Sequence, residues 1–138
     1  MASELRVDTL KDSSGNNSVG MAYVAGGSAK AWINLNGTGT IASRDSFNHS
    51  SLTDNASGDY TNTITSAMGN ANYAVSLANT QGESSSTNSA IGIRTTGTAG
   101  DDPASTYSTT AQRTIHRISS GSSQDLSICC VSVLGDLA

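Results

Sequence analysis

The sequence has few of the residues that build a conventional core or a catalytic centre. Aromatic residues make up 4% of its 138 positions and charged residues 13%, and the chain has one proline, two histidines and two cysteines. General acid–base and nucleophilic catalysis depend mainly on histidine, cysteine and paired carboxylates held by a scaffold. The scarcity of these groups argues against an enzyme, and we expect no catalytic residue and no cofactor.

The charge balance argues against a nucleic-acid partner. Seven lysines and arginines face eleven acidic residues, for a net charge of −4, and the basic residues are scattered. Phosphate binding needs a basic cluster, which the sequence lacks. No apolar run approaches the roughly 18 residues of a membrane-spanning helix, and Met1 opens no leader-like segment. We therefore expect a protein made in a cytoplasm, without membrane insertion.

Hydroxyl side chains dominate what is present. The chain has 24 serines and 16 threonines, against a hydrophobic fraction of 36%. Low charge and strand-like spacing of these hydroxyls favour ordered β structure over disorder. Because large apolar side chains are few, strands buried against identical neighbours would supplement the core, and this predicts a symmetric oligomer.

Short strand-like runs alternate with turn signals, and no helical period appears between residues 31 and 77. Trp32 to Leu35 reads as a strand that ends at Asn36-Gly37. Asn55 to Gly58 joins two strand-like runs in the manner of a hairpin. Tyr73 to Leu77 and Tyr107 to Thr110 predict further strands. The run Leu126 to Leu134 is apolar on both faces, which predicts a central strand.

These patterns predict an all-β protein, with an antiparallel β-sandwich or barrel-like body of about eight strands and an N-terminal strand arm. We place the arm at residues 1–29 and the body at residues 30–138. The alternation from Leu5 to Leu10 predicts an opening strand, and Val19 to Val24 gives a second short apolar segment ending at Gly26-Gly27.

Each candidate site has a plain structural interpretation. Adjacent Cys129 and Cys130 suit buried free thiols better than a disulfide. Asp101-Asp102 has oxygen ligands suited to calcium, but a solvated loop is the stronger interpretation, and we predict no metal site. Trp32 has a face suited to a sugar ring, although a lone tryptophan is more often a core anchor. Tyr107 is the aromatic residue that we expect to be exposed.

One third of the chain resembles a known module. The likeness is carried by Lys30-Ala31-Trp32, Asn36-Gly37-Thr38, the run Arg44 to Asn48, and Asp59-Tyr60-Thr61. Together these segments resemble the C-terminal module of tail-fibre and related virion appendage proteins of tailed bacteriophages, including cyanophages. The opening residues Met1 to Leu10 are similar to the short N-terminal strand of many phage appendage proteins.

The resemblance implies a virion protein, usually a homotrimer, whose body binds a host surface glycan or protein without catalysis. The N-terminal arm would attach it to other virion proteins. A capsid decoration or head-fibre protein is an alternative, because the chain is short for a long fibre. A polysaccharide depolymerase is a second alternative, which needs a pair of acidic residues at a cleft between subunits.

We place the receptor-binding surface on two long polar segments without period, residues 81–88 and 97–107. Such loops vary without disturbing a β scaffold. Their short polar groups suit sugar hydroxyls, and a tyrosine ring offers a stacking face. The predicted receptor-binding residues are Ser84, Ser85, Ser86, Asn88, Asp101, Asp102 and Tyr107.

Overall fold

The N-terminal arm is a small hairpin followed by a helix. The computed structural model describes residues 3–80, 89–93, 107–118 and 122–138. Strands β1 (Thr9–Lys11) and β2 (Ser18–Gly20) pair antiparallel, and helix α1 (Met21–Gly27) follows directly. The opening strand predicted from Leu5 to Leu10 is formed only at its end, where β1 begins at Thr9. The short apolar segment Val19 to Val24 is divided between β2 and the helix, because so short a run does not distinguish the helical period from the strand period. No described side chain between residues 3 and 28 is buried.

The body is built from antiparallel strands, and this confirms the all-β class. Two four-stranded sheets have the orders β4-β3-β10-β7 and β5-β6-β9-β8. These eight strands are β3 (Ala29–Asn36), β4 (Ala42–Phe47), β5 (His49–Ala56), β6 (Asp59–Ile64), β7 (Ala74–Asn79), β8 (Ser89–Ile93), β9 (Ala111–Ile118) and β10 (Cys129–Leu134). Strand β10 lies between β3 and β7, so its predicted central position is confirmed.

The core contains residues of both four-stranded sheets. Alternate positions of β3 and β10 are buried, as expected where one face of a strand is covered. One core cluster joins Ile33, Leu35 and Val131 to Tyr60 of the second sheet. Another joins Ala31 and Val133 to Ile64 of the second sheet and to Met68 and Tyr73 in the segment between β6 and β7.

The chain passes from the first sheet to the second at Asn48, between β4 and β5. Its φ of 53° lies in the left-handed region, which asparagine tolerates better than most residues. The Asn48 side chain donates to the carbonyls of Lys30 and Ser66 at 2.9 and 3.1 Å, and its Oδ1 accepts from the Ser66 amide at 2.7 Å. These bonds hold the corner against the start of β3 and the end of β6.

The predicted hairpin is confirmed, whereas one predicted strand is wrong. Strands β5 and β6 pair across a turn at Gly58, whose φ is +66°. Tyr107 to Thr110 forms no strand: Tyr107 makes an isolated bridge to Gln112, and β9 begins only at Ala111. The Ser108 side chain accepts from the Ala111 amide at 2.9 Å and so forms a local turn in competition with a strand.

The body has two distinct ends. Gly37, Gly58 and Asp125 meet at one end, which we call the upper end. The opposite, lower end contains the Asn48 corner and Tyr73. Strand β3 begins at the lower end, where Ala29 pairs with Leu134, so the arm joins the body there.

Candidate recognition surface

Six of the seven predicted receptor-binding residues lie outside the described residues. They are Ser84, Ser85, Ser86, Asn88, Asp101 and Asp102. The structure does describe the strands on either side of these residues, and the positions of those strands differ for the two predicted segments. Strand β7 ends at the upper end opposite Cys129, and β8 starts at the same end beside Ile118. The second predicted segment ends at Tyr107, which lies towards the lower end.

Tyr107 is half-buried, which corrects the expectation that it is exposed. Its ring meets the Tyr73 ring edge to face, with 5.0 Å between centroids. The Tyr73 hydroxyl donates to the carbonyls of Ser108 and Ala111 at 3.0 and 3.2 Å. Burial raises the pKa of Tyr73 to about 12. Tyr107 thus packs at the margin of the lower core, because its backbone bridge to Gln112 places it beside the buried Tyr73.

Trp32 was expected in the core, but it is half-buried on the side of its sheet that faces away from the core. The cause is the period of the strand: Ala31, Ile33 and Leu35 occupy the buried face, so Trp32 falls on the other. Phe47 lies directly opposite it on β4 and is 54% exposed. The alternation of apolar and other residues along β3 is the sequence signal that places Trp32 on the outer side.

We call this side of the sheet the aromatic face. Besides Trp32 and Phe47 it includes cross-strand neighbours on the four strands of the sheet, namely Asn34, Asp45, Cys130, Ser132 and Ser76. Next to this face lies Ile128, which is 40% exposed. Two large rings set among small and polar side chains make a mixed surface of the kind found in protein interfaces.

The corresponding side of the second sheet is polar. Thr53, Thr61 and Thr63 lie there on neighbouring strands. Arg113 forms a two-pronged ion pair with Asp59, at 2.6 and 2.9 Å, and this pairing raises the pKa of the arginine. Asp59 is 4% exposed, so the arginine covers its carboxylate. Among the described residues, the outer side of the first sheet therefore carries two large rings, whereas the outer side of the second sheet is polar.

His116 and Cys129 meet inside the core, a pairing that the sequence did not reveal. The Sγ of Cys129 lies 3.0 Å from Nδ1 of His116. Burial lowers the pKa of His116 to about 4 and raises that of Cys129 to about 12. Both side chains are neutral near pH 7, so the pair lacks the thiolate that a cysteine nucleophile needs. The expectation of free thiols is confirmed, with Cys129 buried and Cys130 half-buried.

A hydrogen-bond network organises the upper end. Asp125 Oδ1 accepts from the Tyr60 hydroxyl and from the Gly58 amide, both at 2.6 Å. The Tyr60 hydroxyl also lies 3.1 Å from the Gly37 carbonyl oxygen. Burial first, and then Asp125, raises the pKa of Tyr60. The network fixes three loops relative to one another at the end of the body where β7 ends and β8 begins.

Within the described ranges, no three histidine, cysteine or acidic side chains group where they would hold a metal ion. Nor does that part of the chain contain a helix long and apolar enough to cross a membrane. Comparison of the chain with protein-family models, with curated proteins and with solved structures finds no match.

Proposed function

We propose that this protein is a structural component of a tailed-bacteriophage virion, a tail fibre or tail appendage that binds the host surface without catalysis. The proposal rests on the resemblance of residues 30–75. One structural observation supports it: the arm joins the lower end of the body, whereas the strands flanking residues 81–88 end at the upper end. A protein that attaches at one end and recognises a surface at the other needs this polarity.

Residues 81–88 are accordingly our first candidate for recognition. Ser84, Ser85, Ser86 and Asn88 carry the short donors and acceptors that pair with sugar hydroxyls. Each such bond contributes on the order of 1 kcal/mol net. Useful attachment would then depend on several copies binding at once. The segment with Asp101 and Asp102 is preceded by Ile93, which pairs with Thr114 in the middle of β9, and is followed by Tyr107 towards the lower end, so we assign it a secondary role.

The loop assignment is tested by scrambling residues 81–88, with a scramble of residues 97–106 as the matched control. Binding to an array of bacterial surface glycans and to cyanobacterial cells is measured, and circular dichroism checks the fold. We expect the first variant to lose binding and the second to retain most of it. Equal binding by both variants and the parent would contradict the assignment.

We propose further that the two sheets pack face to face as a sandwich and that three copies associate through the aromatic face. Both core clusters draw on both sheets, which supports the first part. The second part is supported by Phe47, which is exposed beside Trp32 on the outer side of the first sheet, whereas the outer side of the second sheet is polar. Covering such rings with a neighbouring subunit removes apolar surface from water, at roughly 25 cal/mol per Å².

The oligomer prediction is tested with Phe47→Lys. A lysine at the centre of a subunit contact would lose its hydration or its partner, so we expect the trimer to dissociate into monomers at micromolar concentration. Thr53→Lys, an exposed position on the polar side of the other sheet, is the matched control and should remain trimeric. Light scattering after size exclusion gives the mass, and a monomeric parent protein would refute the prediction.

The arm is proposed to bind other virion proteins. Its exposed apolar residues are Leu5, Val7, Leu10, Val19 and Tyr23. Two strands of three residues do not form a stable hairpin alone, so a partner that covers these side chains would stabilise the arm. Capsid decoration remains the alternative function, and it too would use the arm. Cryo-electron microscopy of the virion would locate the protein and distinguish the two.

The proposal of binding without chemistry is supported by the neutral His116–Cys129 pair. A depolymerase would need paired carboxylates at a subunit boundary. The adjacent acids Asp101 and Asp102 lie outside the described residues. Incubating the protein with the glycans it binds and measuring released reducing ends would distinguish a depolymerase from a binding module.

A further inference from the structure

A small cavity lies in the core near the lower end. Its volume is about 10 Å³, and its walls come from both sheets. Most of the lining is apolar and includes Ala31, Ile64 and Val133. Four polar residues also line it: Asn48, whose side chain is already hydrogen-bonded at the corner between the sheets, and His49, Asn62 and Gln112. Amide side chains are uncommon in the wall of an apolar core, because burying an amide without a partner costs free energy.

The side chains of His49, Asn62 and Gln112 have buried atoms without a hydrogen-bond partner. In Asn62 and Gln112, both the amide nitrogen and the amide oxygen are unpartnered. In His49, the unpartnered atom is Nε2. Asn62 is 3% exposed and Gln112 is 1% exposed, so bulk water does not satisfy them. Leaving a buried polar group without a hydrogen bond is unfavourable, and the cavity gathers five such atoms.

The two amides do not bond to each other in this structure. Asn62 and Gln112 are cross-strand partners on β6 and β9, and both are buried. All four polar atoms of the pair lack a partner, although each amide can both donate and accept hydrogen bonds. The missing partner must donate and accept at once.

We propose that this cavity is a binding site for one structural water molecule, which bridges Asn62 and Gln112 and reaches His49. Water supplies two donors and two acceptors, and internal waters typically make about three hydrogen bonds. A cavity of about one probe sphere, roughly 10–15 Å³, is the smallest that holds a water. The cavity therefore has both the size and the polar lining of a water site. The proposal does not depend on the function of the protein.

The site is tested by nuclear magnetic resonance on the full-length protein. We expect rotating-frame Overhauser cross-peaks between water and the side-chain amide protons of Asn62 and Gln112, with an oxygen-17 relaxation dispersion that reports a long-lived water. A wild-type spectrum without these cross-peaks would overturn the proposal, and this result requires no variant to fold.

The variants locate the water. The double replacement Asn62→Leu and Gln112→Met keeps side-chain volume and removes both amides, so the long-lived water signal should be lost. Thr114→Val is the matched control: the Thr114 hydroxyl is also buried and unpartnered, but Thr114 does not line the cavity. It should keep the signal. Persistence of the signal in a folded double variant, or its loss in Thr114→Val, would contradict the assigned site.

Discussion

Replacing Gly58 with alanine is expected to lower the free energy of unfolding by about 3 kcal/mol or more. The φ of +66° is disfavoured for any residue with a Cβ. An added Cβ would also lie 2.6 Å from the Gln124 carbonyl oxygen and 2.8 Å from the His116 carbonyl oxygen. These contacts are with backbone atoms, which cannot rotate away as a side chain does.

Gly39→Ala is the matched control for this prediction. Gly39 has nearly the same backbone conformation, with φ of +67°, and no atom lies within 4 Å of the position that its Cβ would occupy. It therefore isolates the backbone strain, which we expect to cost about 1–2 kcal/mol. Urea unfolding at one fixed protein concentration compares the two variants. If Gly58→Ala lowers the free energy of unfolding no more than Gly39→Ala does, the backbone atoms of Gln124 and His116 do not lie as close to Gly58 as the structure has them.

The second large effect is a loss of stability in mild acid. The unfolded chain binds a proton at His116 near the ordinary pKa of 6.5, whereas the folded protein resists protonation until about pH 4, because burial lowers the pKa of this imidazole. Stability is therefore retained above pH 6.5 and falls as the pH decreases towards 4. This difference in proton binding lowers the free energy of unfolding by on the order of 3 kcal/mol across this pH interval.

The groups around His116 limit the effect without reversing it. The negative charges of Asp125 and Asp59 raise its pKa, but desolvation is the larger influence. The nearby Cys129 thiol and the Tyr60 ring, whose centroid lies 5.3 Å from the imidazole, are neutral in this range. His49, whose pKa is also lowered by burial, adds a contribution of the same sign.

Urea unfolding between about pH 7 and about pH 4, with the histidine signals followed by nuclear magnetic resonance, measures this dependence. His49→Gln serves as the control, because it removes the smaller contribution and should leave most of the pH dependence. An unfolding free energy that stays constant from pH 6.5 to pH 4 would contradict the burial of a neutral His116. A His116 titration midpoint near 6.5 in the folded protein would do the same.

The local features of the body were determined by the sequence itself. Alternation and turn residues predicted strands at Trp32 to Leu35 and at Tyr73 to Leu77, and the Asn55 to Gly58 turn predicted the β5–β6 hairpin. These signals depend on backbone preferences and on neighbours within a few residues. The run Leu126 to Leu134 indicated a central strand, because apolar side chains on both faces need cover on both.

The arrangement of the strands and the identity of the outward-facing residues were decided by tertiary structure. The alternation of β3 separates Trp32 from Ala31, Ile33 and Leu35, and Trp32 was assigned to the core only because a lone tryptophan is more often a core anchor. Tyr107 is half-buried because Tyr73, 34 positions earlier, packs against it. The meeting of His116 with Cys129, and of Asn62 with Gln112 beside His49, depends on contacts between distant strands and on the change of sheet at Asn48. Such contacts leave no local pattern, because residues far apart in sequence are brought together only when the chain folds.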